Sequence, residues 1–574
     1  MKLTSKSGTM IVVAFTVCML LSAGCSDWGM GGKKKRGIGD SSIGGLTGAD
    51  IYGSPLSPRP GILACRRSTI SAHYAYAMPE MNTERYDYIP GNTFKNVTEE
   101  PLSTFSIDVD RASYANVRRF INRGNLPPPD AVRIEEMINY FSYDYPQPEG
   151  NDPFSLSMEL AACPWSAGHQ IVLIALQGQK IPMEELPPNN IVFLLDVSGS
   201  MESPDKLPLL KSAMNLLVDQ LRPEDKVAIV VYAGAAGIVL EPTSDKGQIL
   251  NAIEGLRAGG STAGGEGIVL AYKLAEKTFM KNGNNRVILA TDGDFNVGVT
   301  SEGDLVRLIE KERKKGIFLT VLGFGTGNIN DSGMEKLADH GNGNYAYIDD
   351  ILEAKKALVT ELGGTLVTIA KDVKIQAEFN PAVVKAYRLI GYENRILANE
   401  DFDDDKKDAG EMGAGHTVTA MYELIPADST ETVPSAGDLK YQKKEVVGSD
   451  DLMTVKLRYK APDGDTSELL ETSVKPSDLN VDYPSENIRF ASAVAMFGML
   501  LRDSEFKGDA TYAGVIQQAR AAKGSDPSGE RAEFIRLVEK AELLVPNKEK
   551  QAESELSSRE SLSSPSALTC IEKL

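Results

Sequence analysis

Histidine is scarce, with four residues in a chain of 574. None of His73, His169, His340 and His416 sits beside a candidate nucleophile in the sequence. There is no Gly-x-Ser-x-Gly elbow and no Walker-type loop, so the common routes to acyl transfer and nucleotide hydrolysis are missing. Cysteine is also scarce, at five residues, which excludes a disulfide scaffold. Cys65, Cys163 and Cys570 show no pairing pattern, although an exported chain would permit disulfides. Positive charge is outweighed: 61 Lys and Arg face 80 Asp and Glu, a net −19, and such a field repels nucleic acid. Apolar runs long enough to span a membrane are absent, since Met10–Leu21 falls short of the ~20 residues required. Gly 52 and Pro 29 exclude a collagen-like chain. What remains, 42% hydrophobic and 25% charged residues, is ordinary globular composition. The length allows about three to five domains.

The first segment reads as an export signal, residues 1–24. Lys2 and Lys6 precede the apolar run, and Leu21-Ser22-Ala23-Gly24-Cys25 follows. That end resembles a bacterial lipobox, in which Cys25 would be diacylated. It departs from the usual pattern because Ser22 stands where Leu is common, and ordinary signal cleavage is the alternative. Residues 25–97 are expected to form a tether, with Met30–Gly61 rich in Gly, Ser and Pro. Lys33, Lys34, Lys35 and Arg36 would either touch anionic headgroups or simply solvate the chain. The expected location is the bacterial cell envelope, with the protein lipid-anchored and facing the periplasm or cell surface.

Residues 186–366 alternate strand and helix. Asn190–Leu195, Lys226–Tyr232, Arg286–Thr291 and Ile317–Gly323 are apolar without alternation, as strands buried on both faces require. A short apolar piece, Gly237–Leu240, follows the second strand, and a last strand is read at Asn344–Ile348. Helical spacing is read at Lys206–Leu221, Lys246–Leu256, Gly265–Phe279, Ser301–Lys314 and Ile351–Leu362. The expected fold class is therefore α/β: a central doubly wound, Rossmann-like unit with a mostly parallel sheet.

Ligands of such sheets bind at the carboxyl ends of the strands. Three Gly-containing turns bring oxygens there: Asp196-Val197-Ser198-Gly199-Ser200, Gly259–Gly265 and Thr291-Asp292-Gly293-Asp294. Carboxylates and hydroxyls without His or Cys form a hard-cation set. Short hydroxyl ligands suit the compact shell of Mg²⁺ or Mn²⁺ better than the larger Ca²⁺. The alternative is that Asp196 and Ser198 only cap the next helix, which leaves the other two turns unexplained.

Asp196-x-Ser198-x-Ser200, Thr262 and Asp292 resemble the metal-ion-dependent adhesion site of von Willebrand factor A (VWA) domains. The resemblance implies that Ser198 and Ser200 ligate the ion. Thr262, or Ser261 in its place, would act directly or through water, and Asp196 and Asp292 directly or behind the ligands. It leaves the sixth position to an acidic side chain of a protein partner. It also implies ion-dependent binding coupled to shifts of the last helix. Further segments resemble bacterial YfbK-type VWA proteins: Ser103–Asp110, Ala112–Arg119, Leu126–Asp130, Arg133–Asn139, Ala370–Ile375, Phe379–Pro381 and Tyr387–Arg395.

The flanks carry weaker signals. An N-terminal α+β region, 98–185, should hold helices at Ala112–Asn122 and Val132–Tyr140. Phe154–Ala161 and His169–Gln177 should form a two-stranded element leading into the α/β unit. Asp108 and Asp110 resemble half of a second metal site, or a strand end with a helix N-cap. A C-terminal domain, 367–545, reads as β-rich and then helical. Its strands are Asp372–Phe379, Val384–Ile390, His416–Leu424 and Met453–Tyr459, and its helices Ser485–Leu501, Ala510–Arg520 and Gly529–Leu543. The acidic run Asp401–Asp408 lacks the Gly and Glu of a calcium loop and reads as a solvated loop. Residues 546–574 read as a disordered tail.

The function expected is that of a non-enzymatic envelope lipoprotein that grips an acidic residue of a partner through Mg²⁺ or Mn²⁺. Nucleic acid and small-molecule substrates are not expected. A metal-independent adaptor is one alternative. Metal-assisted hydrolysis with Asp294 or Glu266 as base is another. His340, between the last two strands, could approach the metal face.

Overall fold

The computed structural model describes residues 83–545, apart from 151, 261–263, 294–301, 362–366, 408, 436, 438–440, 442–445 and 480. The expected signal, Cys25, Lys33–Arg36 and the tail 546–574 lie outside the described residues, as do Ser261, Thr262 and Asp294. Of the tether expected over 25–97, residues 25–82 lie outside the described residues. From Thr83 the backbone bonds to the main body, with Thr83 N donating to Gly327 O and Arg85 N to Ile329 O.

The N-terminal segment contributes β1 (Lys95–Asn96), β2 (Leu102–Ser106), α1 (Ala112–Asn122), α2 (Ile134–Asn139), β3 (Phe154–Ala162) and β4 (Gln170–Gly178). The middle contributes β5 (Asn189–Asp196), α3 (Leu207–Gln220), β6 (Lys226–Tyr232), β7 (Ala236–Thr243), α4 (Lys246–Gly255) and α5 (Gly264–Lys277). It continues with β8 (Asn284–Thr291), α6 (Glu302–Arg313), β9 (Ile317–Phe324), α7 (Asp331–His340), β10 (Tyr345–Ile348) and α8 (Ile351–Lys355). The C-terminal segment adds β11 (Thr368–Phe379), β12 (Val384–Ile390), β13 (Gly410–Gly413), β14 (Thr417–Pro426), β15 (Met453–Lys460) and β16 (Ser467–Val474), then α9 (Glu486–Leu501), α10 (Tyr512–Ala521) and α11 (Glu530–Leu544).

The central sheet runs β10-β9-β8-β5-β6-β7. All its pairings are parallel except that β7 returns antiparallel to β6, because Ala233–Ala235 is too short for a crossover. β8 is buried at every position, the reason its sequence carries no alternation. Apolar cores fill both faces. One holds Leu195, Leu210, Leu217 and Ile229 under α3 and α4; the other holds Leu194, Leu289, Ile268 and Met334 under α5 and α7. Helix α7 was not foreseen in the sequence, because only Met334, Leu337 and Ala338 mark its apolar face among polar neighbours. The expected helix Ile351–Leu362 is α8 continued by a π-helical turn, Lys356–Glu361.

The flanking segments share sheets, so neither packs by itself. One sheet runs β1-β12-β14-β4-β3, and the other β13-β11-β15-β16 with β2 also paired to β11. The hairpin β3–β4 therefore belongs to a β-sandwich rather than leading into the α/β unit. The reason is legible in β4, which is buried on both faces. Val172, Ile174 and Leu176 enter the sandwich core. Ile171, Leu173 and Ala175 lie under a helical layer built with α1, α2, α9, α10 and α11.

Candidate metal site at the strand ends

The chain leaves β5 for β6 on one side and returns to β8 on the other, so the switch of direction lies between the ends of β5 and β8. Asp196 is the last residue of β5, and Asp292 follows the last residue of β8. Both side chains are buried. Asp196 Oδ1 accepts from Ser198 N at 2.8 Å, which folds the first turn back on its own strand. Ser198 makes no side-chain cap to the short helix behind it, so the capping alternative fails. Ser198 Oγ and Ser200 Oγ stand 2.9 Å apart. The second turn is tied to the first, with Gly199 N donating to Gly260 O at 3.1 Å and Gly259 N to Val197 O at 2.8 Å. Gly293 has φ +99°, and a Cβ there would lie 2.7 Å from Asn328 O and Asn330 N, so only glycine lets the β9–α7 loop close over the third turn.

Two supporting side chains, Lys206 and Tyr232, were not foreseen. Lys206 Nζ donates to Asp292 Oδ2 at 2.9 Å and to Asn328 Oδ1 at 3.4 Å, and its stem crosses Gly325 where a Cβ would clash. Tyr232, at the end of β6, is buried next to the Asp196 carboxylate and interacts with it electrostatically. The sequence reading took Lys206 as a helix start and Tyr232 as a strand end; only the neighbouring strands aim them at the carboxylates.

Electrostatics separate the two acids. Burial raises Asp196 above the usual carboxylate range, with hydrogen bonds from Ser198 partly opposing and the charge of Asp292 adding to it. Burial also pushes Asp292 upward, but Lys206 and Ser200 outweigh it and hold the group below its usual range. One ammonium thus faces two buried carboxylates. Among the described residues no group of three His, Cys, Asp or Glu could hold a metal, so a zinc-type cluster does not compete with this rim.

A divalent cation fits the donor set. Octahedral Mg²⁺ at ~2.05 Å from its ligands separates adjacent oxygens by about 2.9 Å. The Ser198–Ser200 separation of 2.9 Å is compatible with such a shell, and is also an ordinary hydrogen-bond length.

Family models match in three places: von Willebrand factor type A domain over 191–294, von Willebrand factor over 80–173, and YfbK C-terminal over 364–544. The chain is 45% identical over 472 residues to the uncharacterized protein YfbK of Escherichia coli, covering 80% of this chain and 81% of that one. The chain belongs to the YfbK family of VWA-domain proteins. It is also 31% identical over 169 residues to the uncharacterized protein sll0103 of Synechocystis, covering 29% of this chain and 39% of that one. Among solved structures it is similar to the conserved hypothetical protein BatB from Bacteroides thetaiotaomicron, at 26% identity and TM-score 0.27, covering 30% of this chain and 97% of that one.

Other sequence candidates fall elsewhere in this YfbK-family fold. His340 ends α7 at the rim opposite the strand ends and pairs with Glu310, so it does not approach the metal face. Asp110 neither caps α1 nor starts a metal site: it accepts from Tyr345 N at 2.7 Å and Arg395 at 3.2 Å. Asp403 and Asp405 pair with Arg458, which ties the acidic loop to β15, while Asp403, Asp404, Lys406 and Lys407 stay exposed as a solvated loop should. Cys163 is free and buried, and burial pushes its thiol up to about 12. Glu266 lies exposed in the first turn of α5.

Proposed function

We propose that this YfbK-family chain is a cell-envelope lipoprotein, anchored at Cys25, that binds a protein partner through Mg²⁺ or Mn²⁺ held at the ends of β5 and β8. The observation that carries the reading is the convergence of Asp196, Ser198, Ser200 and Asp292 at the switch point, with the two hydroxyls spaced as neighbours in a small octahedral shell. Thr262 would complete the set. The ion supplies a Lewis-acidic position that an acidic side chain of the partner fills. The chain's own part is to orient the hydroxyls, keep Asp292 ionised through Lys206, and shield the carboxylates from bulk water. No residue is assigned a catalytic role.

The test is affinity capture of envelope proteins on the full chain, with Mg²⁺ and with EDTA, using wild type, Ser200→Ala and Asp196→Ala. Partner recovery that needs the metal and both side chains is the expected result. Equal recovery under every condition rejects the reading. Metabolic labelling with palmitate in wild type and Cys25→Ser tests the anchor separately.

A further inference from the structure

At the opposite rim of the central sheet, where β8 and β10 begin, lies a cavity of about 320 Å³. Its walls come from the α7–β10 loop, the end of β2, the segment around Arg395, and β13. The volume is at the small end of ligand sites, which run from about 300 Å³ upward.

Its walls carry charges of both signs. Arg286, near the start of β8, is only 3% exposed. Its Nη1 donates to Thr320 Oγ1 at 2.8 Å, while its Nε has no hydrogen-bond partner. No described carboxylate pairs with it, and burial lowers it to about 10, with only the charge of Glu411 opposing. A buried guanidinium lacking a direct counter-ion is costly, and an oxyanion in the cavity would relieve that cost. Elsewhere on the wall, Arg395 faces four carboxylates: Asp108 at 3.5 Å, Asp110 at 3.2 Å, Glu335 at 3.0 Å and Asp339 at 2.6 Å, of which Glu335 is shared with Arg133 at 3.0 Å. That surplus disfavours a plain anion and favours a ligand with a cationic group.

We infer that this cavity binds a small solute carrying both a carboxylate and an ammonium, of the amino acid or short-peptide class. The carboxylate lies against Arg286 and the ammonium toward Asp108 and Asp339. The reading is independent of the metal site, which is on the other rim, and departs from the absence of any small-molecule signal in the sequence. That absence has a cause: the walls come from separate segments spread between Ser106 and His416, so no local motif records them.

The test is thermal unfolding and titration calorimetry of the full chain in EDTA, which leaves the metal proposal untouched. The probes are L-alanine, L-alanyl-L-alanine, the N-acetylated and C-amidated dipeptides, acetate and inorganic phosphate. A free zwitterion should stabilise the protein saturably, and blocking either end should weaken binding by ~10-fold or more, the equivalent of about 1.4 kcal/mol. Arg286→Gln should abolish the response. Ile396→Trp, at the exposed mouth and away from Arg286, should block entry while the protein stays folded. The inference is overturned if neither zwitterion gives a saturable response. It is equally overturned if acetate or phosphate binds as well as the zwitterions, or if Ile396→Trp, shown to be folded, binds like wild type.

Discussion

Lys206→Met isolates the internal cation of the strand-end site. Methionine keeps the aliphatic stem that crosses Gly325 and removes only the ammonium. The ion pair with Asp292 spans 2.9 Å between side chains 9% and 0% exposed. At an effective dielectric near 20 its gross attraction is about 6 kcal/mol. Desolvation cancels much of that, and removing one partner of such a buried pair costs about 3–5 kcal/mol. In EDTA the variant should therefore unfold well below wild type in calorimetry. Its pH dependence should also change sign at this residue. In wild type, Asp292 is held below 3.8, so its contribution is present above that pH and is lost as pH falls through the folded-state value. Without the ammonium, burial dominates, the folded-state value rises, and stability falls with rising pH instead. Under the proposed function, Mg²⁺ replaces the missing charge and should stabilise Lys206→Met more than wild type. Two results would refute the reasoning: equal stability of variant and wild type in EDTA, or a Mg²⁺ response no larger in the variant.

Gly293→Ala places a Cβ against the backbone of Asn328–Asn330 at φ +99°, which should cost about 1–3 kcal/mol and weaken Mn²⁺ binding, read by titration calorimetry. Arg118 is 3% exposed and pairs with Asp349, Glu353 and Glu533, bolting α8 to the helical layer. Arg118→Met should lower stability by about 3–5 kcal/mol in urea unfolding, and adding Asp349→Asn with Glu353→Gln should recover part of the loss. Burial raises Glu136 from 4.5 to about 8, with Arg133 opposing, so its contribution to stability declines as pH rises from 4.5 through about 8. Glu136→Gln should flatten that stretch of a pH–stability profile; an unchanged slope assigns it to other groups.

The strands of the central sheet were legible because burial on both faces leaves an unbroken apolar run; α9 was legible as a long, broadly apolar helix, buried from Phe490 to Met499. Asp196, Ser198, Ser200 and Asp292 were legible for a related reason: each turn follows directly from such a strand, so topology places it at the rim. Lys206 and Tyr232 were not, because a lysine before a helix and a tyrosine ending a strand have ordinary local explanations. Helix α7 was missed where a thin apolar stripe meets many polar neighbours.

By itself, the order of residues along the chain determined the parallel sheet and its rim of carboxylates and hydroxyls. These depend on periodicity and on spacing within short stretches. Only the tertiary structure decided that the two flanking segments weave into shared sheets, that an ammonium is delivered to Asp292, and that Arg286 and Asp108 face one cavity. Those outcomes rest on pairings between residues far apart in the chain, and hydrophobic pattern specifies that a face must be covered without specifying which distant segment covers it.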